Sequence, residues 1–128
     1  MTILVTGARG FVGGALVERL AADNASACVV AAATRLGVTF SKGVKLMQVG
    51  DLLPMTNWCT ALQGVSAVVH YAARVHVMTD KSWDPLAEFR QVDVESTANR
   101  SRQAAAAGVR RFVFLSSIRV NGEFTEAG

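Results

Sequence analysis

The sequence predicts an α/β protein built on a doubly wound parallel sheet. Three observations predict it. Strand-like and helix-like segments alternate throughout the chain. The strand-like segments are continuous apolar runs, as expected of strands covered on both faces. Right-handed crossovers between such strands then give the order 3-2-1-4-5. The chain has 128 residues, 51% of them hydrophobic. That suffices for one domain with its own core and is too apolar for disorder.

The elements follow in order. Thr2–Thr6 is a short run rich in β-branched residues, ended by Gly7, and reads as a buried strand. Phe11–Ala22 carries Phe11, Val12, Ala15, Leu16, Arg19 and Leu20 at helical spacing and stops at Asp23-Asn24. Ala27–Ala33 is a second buried strand, and Lys45–Val49 a third, closed by Gly50-Asp51. Met55–Leu62 is expected to be a short helix after Pro54, stopped near Gly64. Ala67–His70 is the fourth strand. Trp83–Ala107 is a long helix, started by Asp84 and Pro85 and stopped by Gly108. Its alanine run, Ala104–Ala107, suits close packing on a sheet. Arg111–Leu115 is the fifth strand, followed by Ser116-Ser117. No repeat, low-complexity tract or linker interrupts the series.

Composition excludes several classes. The net charge is +3 and the arginines are scattered. Arg100, Arg102, Arg110 and Arg111 read as a solvated face, since no aromatics interleave with them as nucleic-acid binding would require. No apolar run approaches the roughly 20 residues that span a bilayer. Met1–Val5 has no basic leader and reads as a native start without a signal peptide. Cys28 and Cys59 have neither CxxC spacing nor a matching His pair, so no metal site is expected. They read as two buried free thiols in a reducing cytoplasm, which is the expected compartment.

The chemistry concentrates in Thr6-Gly7-Ala8-Arg9-Gly10-Phe11-Val12-Gly13. Gly7, Gly10 and Gly13 have the spacing G-x-x-G-x-x-G between a predicted strand and a predicted helix, the context of a dinucleotide-binding loop. Gly7 allows the tight turn, Gly10 lets backbone N–H groups approach a pyrophosphate, and Gly13 lets the helix pack closely. The helix N-terminus favours the phosphates. The second strand of such units usually ends in an acid that bonds the ribose 2′-hydroxyl. Here its tip reads Ala31-Ala32-Ala33-Thr34-Arg35. Arg35, and Arg9 within the loop, suit a 2′-phosphate, which favours NADP over NAD.

Several segments together resemble the extended short-chain dehydrogenase/reductase superfamily, in particular its NAD-dependent epimerase/dehydratase family, UDP-glucose 4-epimerase-like. They are Thr6–Gly13, Gly50-Asp51-Leu52, His70-Tyr71-Ala72-Ala73, Asp93–Thr97, Ala105–Phe114 and Leu115–Gly122, in the family's order and spacing. The resemblance implies an NAD(P)-binding Rossmann fold over residues 1–128. It implies that Asp51, beside Leu52, accepts a hydrogen bond from the adenine amino group. It implies that Tyr71, Ala72 and Ala73 line the cofactor near the nicotinamide ribose. Ser117, after Ser116, takes the position of the catalytic Ser/Thr that bonds the substrate oxygen. A UDP-sugar is the implied partner, without nucleic acid or membrane. A homodimer through a four-helix bundle is implied too, although Arg100 and Arg102 on the long helix weigh against it. There are other departures: Asp93 stands where Asn is common, Ser96 for Gly, Arg100 for Leu and Asn121 for Tyr. Arg100 is expected to snorkel to solvent or to mark a less typical member. His76 reads as a loop residue, and His70 as a strand-end packing residue rather than a base.

The family's chemistry also uses a Tyr-x-x-x-Lys pair after the fifth strand. The one tyrosine here is Tyr71, and the residue four on is Val75. The chain therefore reads as an N-terminal portion, truncated after the fifth strand and inactive alone, of a nucleotide-sugar epimerase, dehydratase or 4-keto-reductase. The alternatives are a regulatory module that keeps the cofactor fold without catalysis, and a nucleotide-binding protein without redox work.

Overall fold

The computed structural model describes residues 1–23, 28–33, 37, 39–49, 55–71 and 94–116, with the backbone alone at 28 and 33. Its elements are β1 (Thr2–Thr6), α1 (Phe11–Asp23), β2 (Cys28–Ala33), β3 (Val44–Gln48), α2 (Cys59–Leu62), β4 (Ala67–His70), α3 (Ser96–Ala106) and β5 (Arg111–Phe114). The strands form one parallel sheet in the order β3-β2-β1-β4-β5, as the alternation of apolar runs predicts.

Alternate residues of β1 point to opposite faces of the sheet, and each face has its own core. Ile3 and Val5 join Val29, Ala31, Ala8 and Val17 beneath α1, with Leu16 and Leu20 packed on them. Leu4 joins Val30, Ala32 and Val68 on the other face, beneath Trp58, Ala61 and Leu62 of the α2 segment and Ala104 of α3. Leu4 and Val5 are fully buried. Each such side chain contributes about 1.5–3 kcal/mol relative to exposure.

Four expectations need correction. The helix expected over Met55–Leu62 begins only at Cys59. Asn57 Oδ1 accepts the Cys59 N–H at 2.9 Å, a local turn that holds the preceding residues out of the helix. Cys59 is exposed, not buried, because the short helix turns Ala61 and Leu62 inward instead. Phe11 and Val12 do not join the buried face of α1. They form its first turn, where Phe11 is 96% and Val12 49% exposed. Arg100 does not snorkel: it is buried on the inward face of α3, one turn from Ser96 and one from Ala104. The first half of the expected long helix, from Trp83 to Asp93, lies outside the described residues, as do His76 and Asn121.

Candidate functional site

All five strands run the same way, so their carboxyl ends share one edge. There Thr6 is in register with Ala32 on one side and His70 on the other, and His70 with Phe114. The chain goes from β1 outward to β2 and β3, then crosses to β4 and β5 on the opposite side. The β1–β4 gap is thus a topological switch point, where open α/β sheets bind ligands. The glycine loop leaves β1 at this gap, Tyr71 leaves β4 beside it, and Ser116 follows β5.

The loop is held by its own backbone. Gly7 has φ +68°, a conformation glycine adopts freely, and its carbonyl accepts the Gly10 N–H at 2.9 Å. The Gly10 carbonyl in turn accepts the Gly14 N–H at 2.8 Å. A Cβ on Gly13 would overlap the Gly7 carbonyl oxygen and lie 2.8 Å from its carbon, so the third glycine is required by the loop itself. A Cβ on Gly10 would stand 3.2 Å from the same oxygen. Gly14, which sequence reasoning passed over, is nearly as tight: a Cβ there would lie 3.1 Å from the Ala8 carbonyl oxygen. The first-turn N–H groups of a helix lack intrahelical partners and carry its positive dipole end. Here that turn begins at Phe11, beside the exposed Arg9 and Gly10.

Beneath the loop lies a buried polar group in an otherwise apolar layer. His70 Nδ1 is 2.6 Å from Thr6 Oγ1, and its Nε2 is 2.9 Å from Thr97 Oγ1 of α3. Burial pulls the His70 pKa down to about 3, aided by the positive Arg100, so the ring is neutral near pH 7. A neutral imidazole has one donor and one acceptor; a threonine hydroxyl can serve either role, whereas Arg100 can only donate to the acceptor nitrogen. Arg100 Nη1 lies 2.9 Å from Nδ1 and 2.8 Å from Nε2. The other side of its guanidinium is 4.3 Å from the centre of the Trp58 ring. Burial pulls this guanidinium down to about 10, and its Nε and Nη2 have no hydrogen-bond partner. Asn99 and Gln103, one turn apart on α3, fasten the Trp58 segment. Both donate to the Thr56 carbonyl, at 3.0 and 2.9 Å, and Gln103 Oε1 accepts the Trp58 N–H at 2.7 Å.

The expected site residues divide accordingly. Gly7, Arg9 and Gly10 form the loop at the switch point, and Phe11, Val12 and Gly13 the first turn of α1 that follows it. Tyr71 is half-buried against the α1-side core, and Ser116 is exposed past β5. Arg35, Asp51, Leu52, Ala72, Ala73 and Ser117 lie outside the described residues. Thr97 closes the Asp93–Thr97 segment of the resemblance without a role assigned to it there, and Arg100 shows only its departure from the common leucine. Among the described residues no group of three or more His, Cys, Asp or Glu is placed to hold a metal, and no helix is long and apolar enough to cross a membrane.

Comparison with known proteins agrees with this geometry. Residues 3–127 match the model of the NAD dependent epimerase/dehydratase family. UDP-glucose 4-epimerase of Vibrio cholerae is 44% identical over 127 residues, which cover 99% of this chain and 38% of that protein. The structure of MoeE5 in complex with UDP-glucose and NAD superposes with a TM-score of 0.76 at 35% identity, over 95% of this chain and 38% of that one. A short-chain dehydrogenase/reductase superfamily protein from Agrobacterium tumefaciens with bound NAD gives 0.73 at 36% identity, over 97% of this chain and 36% of that one. The chain thus spans well under half the length of these relatives. With its sheet order, switch-point loop and match over nearly every residue, the chain belongs to the NAD dependent epimerase/dehydratase family.

Proposed function

We propose that this chain is the dinucleotide-binding portion of an enzyme that moves hydride to and from a sugar carbon of a UDP-sugar. The observation that carries the reading is the glycine cradle, in which Gly13 fits against the Gly7 carbonyl only because it lacks a Cβ. Such a loop brings backbone N–H groups close to a pyrophosphate, and the start of α1 adds its dipole. Gly7, Gly10 and the first turn from Phe11 to Gly13 would hold the phosphates. Tyr71, Ala72 and Ala73 would flank the nicotinamide ribose, and Asp51 with Leu52 the adenine. The bound nicotinamide supplies the hydride acceptor and donor. Ser117, following Ser116 past β5, would hydrogen-bond the sugar oxygen at the reacting carbon.

The structure of MoeE5 with UDP-glucose and NAD supports this substrate pair. Arg9 and Arg35 argue for NADP, because a guanidinium fork matches a 2′-phosphate. These residues contain a single tyrosine, Tyr71, and no Tyr-x-x-x-Lys pair, so the isolated chain is expected to bind dinucleotide without turning over a UDP-sugar. Fluorescence titration with NADH and NADPH tests the reading. The wild-type chain should show saturable binding, and Gly13→Ala should weaken it at least a hundredfold. Equal binding by the two proteins would refute the cradle. NADPH affinity unchanged in both Arg9→Ala and Arg35→Ala would refute the NADP preference.

A further inference from the structure

Thr6 is the last residue of β1 and immediately precedes Gly7. His70 is the last residue of β4 and immediately precedes Tyr71. The two are partners in register across the switch point. The backbone ladder sets the strand separation but leaves the direction of each exit free. The imidazole spans that freedom. One ring nitrogen holds Thr6 at 2.6 Å, and the other holds Thr97, 2.9 Å away on a helix that covers the opposite face from α1. We propose that His70 is a positioning residue for the dinucleotide, a ring clamped between Thr6 and Thr97 that ties the glycine loop to α3 and sets its distance from the β4 exit. This rests on the cofactor reading above.

Packing alone does not account for a histidine here. His70 is 1% exposed, and the neighbouring β4 position that faces the same core is Val68. An aliphatic or phenyl side chain would fill the space without desolvating two ring nitrogens. What the imidazole adds is direction. Its N–H donates to one threonine hydroxyl, and its other nitrogen accepts from the second, alongside Arg100 Nη1, which can only donate. Loss of Thr97 therefore reaches the glycine loop through the ring, although Thr97 itself lies in another layer. Glycine-loop backbone aimed at a pyrophosphate is sensitive to such orientation, since small misplacements weaken charge-assisted hydrogen bonds steeply.

The test is NADH titration of the full chain with parallel thermal melting. Thr97→Val should bind NADH about five- to tenfold more weakly, the value of one directed buried hydrogen bond. Thr97→Ser, which keeps the hydroxyl, should return affinity to within about twofold. His70→Phe should cost at least as much as Thr97→Val, since it also removes the Thr6 bond, and the double variant should be no weaker than His70→Phe alone, because Thr97 acts through the ring. Wild-type affinity in Thr97→Val overturns the proposal while leaving the cofactor reading intact. So does a serine variant as weak as the valine one, or a loss of affinity that only tracks a loss of melting temperature. A wild-type chain that binds neither NADH nor NADPH overturns the cofactor reading itself, and the proposal with it. Should His70→Phe fail to fold, the Thr97 pair alone decides.

Discussion

β1 and β5 look alike in sequence and behave differently in the fold. Each is a short apolar run ending in hydroxyl residues, Ile3-Leu4-Val5-Thr6 in one and Phe112-Val113-Phe114-Leu115 before Ser116 in the other. In β1, Leu4 and Val5 are fully buried and Ile3 is 6% exposed. In β5, Val113 and Phe114 are 52% and 53% exposed, and Leu115 just after it is 51% exposed. β1 has β2 and β4 on its sides, α1 on one face and the α2–α3 layer on the other. β5 pairs with β4 alone among the described residues, and only Phe112 packs into the α2–α3 core. On its α1 side an open cavity of about 420 Å³ reaches from Leu16 and Leu20 to Val69 and Val113. A continuous apolar run thus identifies a strand but not whether it lies at the centre of the sheet or at its edge.

The largest test of this contrast is a pair of truncations. Leu4→Ala should cost about 2–5 kcal/mol, since the packed core on that face relaxes only partly around the void. Val113→Ala should stay within about 0.5 kcal/mol by urea unfolding, because its side chain is already half in water. Equal costs would show that β5 is covered as fully as β1.

The buried side also carries a liability that β5 lacks. Arg100 has two unpartnered guanidinium nitrogens, and no carboxylate is paired with it among the described residues. Its stacking on Trp58 recovers about 2 kcal/mol, less than the several kcal/mol cost of an uncompensated buried cation. Arg100→Leu should therefore raise stability by about 1–3 kcal/mol in the same assay. A lower melting temperature would show that the guanidinium holds the Trp58 segment in place.

A third effect, of similar size to that of Arg100→Leu over pH 7 to 5, is in pH. The folded-state pKa of His70 lies at about 3, below its ordinary 6.5. Between these values the unfolded chain binds the proton and the folded chain does not. The contribution of neutral His70 is complete above about 6.5 and is lost as pH falls towards 3, by up to about 1.4 kcal/mol per unit. Urea unfolding at pH 7, 6 and 5 should show this slope in the wild type and a shallower one in His70→Phe. Identical slopes would mean that His70 charges freely in the folded state and that the β1–β4 edge is not sealed.

Much of the fold was legible because its signals are local. Thr2–Thr6 and Ala67–His70 are strands at their expected bounds, and the glycine spacing placed the loop where it stands. The start of α2 was missed because a single side chain, Asn57, outweighs the helix-forming pattern before Cys59. Arg100 was expected at the surface because charge usually lies there. Its burial depends on Trp58 and His70, 42 and 30 residues away in the chain, and no local pattern shows that meeting.

By itself the sequence determined the alternation of strands and helices, the sheet order and the cradle at Gly7, Gly10 and Gly13. Periodicity, β-branched runs and glycine spacing act over a few residues and need no partner from elsewhere in the chain. Only the tertiary structure decided that β1 is sealed while β5 is half open, that Arg100 lies inside, and that His70 joins Thr6 to Thr97. Those contacts bridge 64 residues on one side of the ring and 27 on the other. They arise only when β1, β4 and α3 pack together, because the hydrogen bonds and desolvation that define them do not exist until the layers close.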